Sequence, residues 1–151
     1  SEAEWNNPFG GIFIESFSFF SPTLNPTNEF ASPEFDRIMG PFMPTLGGTP
    51  VLGTEWPEGP RTAAIAEAIL MVGNVVGNTV SHEMGHSMGL THYPEDWDRP
   101  GTTYHNRIPS GCIMDGGPDR PFEMRAELEG AERAKFNERN MEYLKKILPL
   151  P

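Results

Sequence analysis

Three histidines and one glutamate fall within a single run, His82-Glu83-Met84-Gly85-His86-Ser87-Met88-Gly89-Leu90-Thr91-His92, at spacings that suit a metal ion. Residues four apart on an α-helix share a face about one turn apart, so His82 and His86 can offer imidazole nitrogens to one ion. Gly89 permits a left-handed backbone that ends the helix and turns the chain sharply, which lets His92 return as the third ligand. Three neutral imidazoles leave the fourth tetrahedral position for water, the pattern of a catalytic rather than a structural zinc site. Such an ion lowers the pKa of its water towards about 7 and polarises the carbonyl under attack. Glu83, beside His82, is placed to take the water proton as general base and to pass it to a leaving amine. The expected cofactor is one catalytic Zn2+ held by His82, His86 and His92.

Further along lies Cys112-Ile113-Met114-Asp115. The histidine motif followed by this methionine resembles the metzincin clan of zinc metallopeptidases, over Val80 to Met114, and within it a minor bacterial-type branch. Tyr93 follows the third histidine, unlike the residue that marks the best-known families, and Gly116 stands where a fifth-ligand tyrosine would be. The resemblance implies that Met114 forms the Met-turn, a hydrophobic base beneath the imidazoles and not a ligand. It implies that the segment from Asp115 to Phe122 lines the pocket for the side chain after the scissile bond. It also implies an α+β fold, with a small mixed sheet ahead of a long active-site helix, an edge strand that binds extended substrate, and a closing C-terminal helix. The implied activity is endopeptidase cleavage of a protein or peptide substrate, by a secreted or extracytoplasmic enzyme. Tyr93, Tyr104 and His105 are candidate cleft residues, the latter two as groups that could steady an oxyanion. Two other readings stay open: a zinc-bearing interaction domain without catalysis, and a zinc hydrolase of non-protein amides, which would need no exposed strand.

These residues need elements to position them. The apolar run Ile12 to Phe20, ending at Ser21-Pro22, reads as a strand, with Gly11 to Phe19 suited to be the substrate-binding edge. Ser32-Pro33-Glu34 reads as a helix start, with Ser32 as N-cap and Phe35, Ile38, Met39 and Phe42 as the buried face. From Pro44 to Pro60 the chain reads as a loop, with room for a short strand at Val51-Leu52. Thr62 to Leu90 is the longest helix-compatible stretch. Its expected buried stripe is Ile65, Ile69, Val72, Val76 and Val80, and a kink between Asn74 and Asn78 is an alternative because Gly73 and Gly77 weaken a helix. Thr91 to Pro121 is rich in turn-formers. Asn137 caps a last helix with Met141, Leu144, Ile147 and Leu148 on one face, stopped by Pro149.

The 151-residue length suits one domain, with residues 1–90 as an upper part carrying the zinc helix and 91–151 as a lower part. A formal net charge of −10 disfavours nucleic acid, whose binding needs a basic surface. Interruptions at Glu67, Gly73 and Asn74 argue against a membrane span, and a monomer is expected. Cys112 is the single cysteine, so no intrachain disulfide can form, and it reads as a small buried hydrophobe. Without a basic, apolar start or an initiator methionine, a mature form or excised fragment is expected.

Overall fold

Residues 14–90, 111–116 and 120–148 are described by the computed structural model. Where a strand is expected, Ile14–Phe20 winds into a 3-10 helix. Among the described residues there is no strand, and Cys112 and Lys135 form an isolated parallel bridge. The expectation of an α+β fold with a small mixed sheet and a substrate-binding edge strand is therefore overturned here; the elements are helical. Aromatic spacing supplies the reason. A 3-10 helix has about three residues per turn, so Phe17 and Phe20 share a face, with ring centroids 6.5 Å apart. A strand would instead have grouped Phe17 with Phe19 and turned Phe20 away. The core takes Phe20 and leaves Phe19 49% exposed.

Helix α1 spans Pro33–Met39. The Ser32 side chain accepts from the Glu34 amide as N-cap, and Phe35 and Ile38 are buried as expected. A 3-10 turn, Gly40–Phe42, follows and buries Phe42. The loop to residue 61 holds 3-10 turns at Pro44–Leu46 and Gly53–Glu55, and Val51 and Leu52 are exposed rather than paired in a strand. Arg61 gathers this loop. Its guanidinium pairs with Glu55 at 2.8 Å and donates to the carbonyls of Pro41, Thr49 and Pro50 at 3.2, 2.9 and 3.1 Å.

Helix α2 runs unbroken from Thr62 to Ser87, so Gly73 and Gly77 are accommodated without a break. Its buried row is Ile65, Ala68, Met71, Val75, His82 and Gly85. The expected stripe is thus rotated: Ile69 and Val80 are 57% and 39% exposed. Between Thr62 and Ser81 the helix carries one charged residue, Glu67, so no polar face in the sequence marks which side turns outward. Tertiary packing selects the row that continues into His82. By length and composition α2 also meets the measure of a membrane span, with a mean hydropathy of 1.5 over its most apolar window, of which 22% is buried.

Two short helices complete the described chain, α3 at Phe122–Arg125 and α4 at Glu138–Ile147. The larger core joins α1, α2 and α3 through Phe20, Phe35, Ile65, Val75 and Phe122 among others. It therefore draws on both the 1–90 and the 91–151 parts. Phe122 packs on Phe20 and Phe35 with centroids 5.3 and 5.6 Å away, distances at which aromatic pairs attract beyond their area burial. Asn74 of α2 donates to the Ala126 carbonyl at 2.9 Å and ties α3 to the helix. A second, smaller core holds Leu90, Met114 and Leu144. Asn137 caps α4 by accepting from the Asn140 amide. Of the expected α4 face only Leu144 is buried; Met141, Ile147 and Leu148 are 41–45% exposed.

Candidate metal centre

His82 and His86 occupy the last turns of α2, on the side that the helix turns toward the second core. Their rings meet nearly edge to face, with centroids 4.6 Å apart and an interplanar angle of 87°. The Nδ1 atom of His82 lies 2.6 Å from the Ile113 carbonyl oxygen, and that of His86 lies 3.2 Å from the Leu90 carbonyl oxygen. A carbonyl only accepts, so Nδ1 is the donor in each ring, and each neutral imidazole then presents Nε2 as an acceptor. Those two Nε2 atoms face one another at 3.0 Å. Two lone pairs so close repel unless a cation or a proton lies between them. Tetrahedral zinc with Zn–N bonds of about 2.0–2.1 Å sets neighbouring nitrogens roughly 3.3 Å apart, so the pair fits that ion after a small opening. Donation of the remaining ring N–H to backbone carbonyls is the usual way that metal-binding histidines are oriented.

The backbone after α2 behaves as the motif requires. Gly89 has φ +85°, and the Leu90 amide donates to the Gly85 carbonyl at 2.9 Å as the chain leaves the helix. A side chain could not replace Gly89 comfortably: besides the left-handed φ, a Cβ there would approach the Tyr143 hydroxyl at 2.7 Å. Glu83, one residue beyond His82, is exposed. Among the described residues His82 and His86 are the two potential ligands brought together, and no group of three His, Cys, Asp or Glu side chains is found. His92, Tyr93, Tyr104 and His105 lie outside the described residues.

Beneath the imidazoles a tight turn spans Cys112 to Asp115. The Asp115 amide donates to the Cys112 carbonyl at 3.1 Å, and the Cys112 amide donates to Asp115 Oδ2 at 2.9 Å. Asp115 is fully buried, so its carboxylate holds the turn from inside. The Ile113 amide donates to the Lys135 carbonyl, fixing the irregular segment that follows α3 against the turn. One turn therefore does two things: Ile113 orients His82, and Met114, 2% exposed, packs below Gly85 and Leu90. Cys112 is half-buried rather than a fully buried hydrophobe, and its backbone forms the bridge to Lys135.

Several contributors escaped sequence reasoning. Gly85 lies between the two histidines on the buried side, where its smallness admits Met114; a glycine at that place in a zinc motif is the available signal. Asn78 precedes His82 by four residues and so shares its stripe. It accepts from Arg120 Nη1 at 2.8 Å. Arg120 is 4% exposed, and burial, with Arg125 beside it, draws its pKa down to about 9, while Glu83 and Asp115 pull the other way. Nothing in the local sequence marks Arg120 as buried. Comparison with family models, with curated proteins and with solved structures gives no match for this chain.

Proposed function

We propose that this protein is a zinc-dependent endopeptidase, a reading carried by one observation: two carbonyl-oriented imidazoles whose Nε2 acceptors face each other at 3.0 Å. His82 and His86 would hold the ion, with His92 as the third ligand. When bound, zinc supplies an acidified water and an electrophile for the substrate carbonyl. Glu83 takes a proton onto its carboxylate and delivers it to the departing amide nitrogen, so that no covalent acyl-enzyme is required. The Ile113 carbonyl holds Nδ1–H of His82 and keeps Nε2 available. Met114 supports the pair from below as the Met-turn residue. The resemblance of Val80 to Met114 to the metzincin clan supports this reading, although the described residues hold none of the sheet that the resemblance implies.

A reading as a hydrolase of non-protein amides is favoured by the 3-10 helix at Ile14–Phe20, which stands where a strand for main-chain pairing was expected. Digestion of a mixed peptide library by the wild-type protein and by Glu83→Ala, at equal zinc occupancy, decides between them. Internal cleavage by wild type alone, at least 100-fold above the variant, is the expected result, since general-base catalysis contributes about 10²- to 10⁴-fold. Zinc bound one to one with no peptide cleaved would overturn it.

A further inference from the structure

Arg120 is a buried cation that makes no ion pair among the described residues, with Glu83 and Asp115 acting on it only from beyond that distance. It is 4% exposed, donates through Nη1 to a neutral amide, Asn78 Oδ1 at 2.8 Å, and has no hydrogen-bond partner at Nε. Among the described residues no carboxylate lies within ion-pairing distance of it. Arg125 adds to the positive charge nearby: its Nε donates to the Arg120 carbonyl at 3.0 Å, and its guanidinium stacks over Phe20 at 5.5 Å. A buried charge is retained against its desolvation cost only where something offsets it.

The position is informative. Asn78 and His82 lie four residues apart on one stripe of α2, a rise of about 6 Å. The guanidinium therefore meets the helix about one turn before the first proposed zinc ligand, and it lies within the electrostatic reach of Glu83. In an extended peptide one residue spans roughly 3.3 Å. An acidic group one or two residues from a bond held at His82 and His86 would reach the guanidinium, which binds carboxylates through directed N–H donors.

We propose that Arg120 is a specificity-determining residue that selects peptide substrates bearing a carboxylate one or two residues from the scissile bond. This rests on the zinc-endopeptidase reading of the same site. The carboxylate has two possible sources, an Asp or Glu side chain or the free C-terminus of the substrate.

The test separates binding from cleavage. Zinc-loaded Glu83→Ala protein is titrated by fluorescence anisotropy with labelled, C-terminally amidated alanine-rich heptapeptides in which one Asp, or one Asn, is moved along the chain. A neutral peptide with a free C-terminal carboxylate, and its amide, form the second arm. The expected result is Asp binding about tenfold or more tighter than Asn in one register, or the free acid likewise tighter than the amide. Either preference is lost when Arg120→Gln is added and partly restored by Arg120→Lys. Equal affinity for acid and amide in both arms, or a preference indifferent to Arg120, overturns the proposal.

Thermal unfolding guards against a merely structural role. A buried cation with no direct ion pair predicts that Arg120→Gln melts at or above its parent; melting well below it assigns Arg120 to fold support through Asn78 and overturns the proposal. Wild-type protein that binds the acidic peptide through Arg120 but cleaves nothing removes the hydrolase and leaves the carboxylate site. Cleavage without acid preference removes the site and leaves the hydrolase.

Discussion

Met114 occupies the space that a side chain on Gly85 would need. A Cβ placed on Gly85 would overlap the Met114 sulfur and come within 3.2 Å of its terminal methyl and 3.4 Å of Leu90 Cδ1. The glycine between the two histidines and the methionine beneath them are thus fitted to each other.

Gly85→Ala should therefore destabilise the protein by about 1–3 kcal/mol, the usual cost of overpacking a filled core. If the clash with Met114 is the cause, Gly85→Ala should cost less in a Met114→Ala background than in the wild-type chain. A double-mutant cycle by urea unfolding reads this directly; strict additivity of the two changes would show that they do not share the space.

Met114 should tolerate a change of chemistry better than a change of volume. Met114→Leu is expected to cost under about 1.5 kcal/mol and Met114→Ala about 2–5 kcal/mol. Zinc affinity by competition with a chelator should follow the same order, since Met114 packs below the helix turn that carries His82 and His86.

Gly89→Ala faces two obstacles, the left-handed φ of +85° and the Tyr143 hydroxyl. Adding Tyr143→Phe removes the hydroxyl but not the backbone strain of roughly 1–2 kcal/mol. The double variant is accordingly expected to bind zinc better than Gly89→Ala alone yet more weakly than wild type, as measured by titration calorimetry.

Metal should bind the folded chain in preference to the unfolded one. Zinc at a thousandfold excess over its Kd stabilises by about 4 kcal/mol, seen as a rise in Tm that a chelator reverses. His82→Ala should abolish the rise, whereas Glu83→Ala should keep it, the outcome expected of a general base that does not ligate the ion.

Glu55 gives the fold an acid-sensitive clamp. Hydrogen bonding from Arg61, helped by the Leu52 amide, lowers its pKa from 4.5 to about 2. The folded-state pKa is depressed, so the stabilisation is complete above pH 4.5 and is lost as the pH falls towards 2. Glu55→Gln should melt below wild type at pH 7, and the gap should close over that window.

The sequence makes caps and the helix that carries His82 and His86 legible, because each rests on a few residues in near neighbourhood. Ser32 and Asn137 cap where their hydroxyl and amide predict. The expected left-handed turn appears at Gly89. What escapes depends on distant partners. The Ile12 to Phe20 run fits a strand by composition, but Phe35 and Phe122 bring Phe20 inward and select the 3-10 helix. Likewise, α2 has apolar residues on nearly every side, so its outward face is set by α1, α3 and the turn at Met114. Arg120 and Asn78 meet across forty-two residues, a pairing that no local pattern encodes.

The core row of α2 also imposes a rule of length. Val75, fully buried against α3 and its neighbours, and His82 are seven residues apart, close to two helical turns. Inserting or deleting one residue between them would swing both imidazoles about 100° around the helix axis. His82 would leave the Ile113 carbonyl while every hydrophobic residue upstream kept its seat. This interval can vary by substitution but not by length: the distance along the chain from the core to the imidazole pair is itself part of what seats His82 on Ile113.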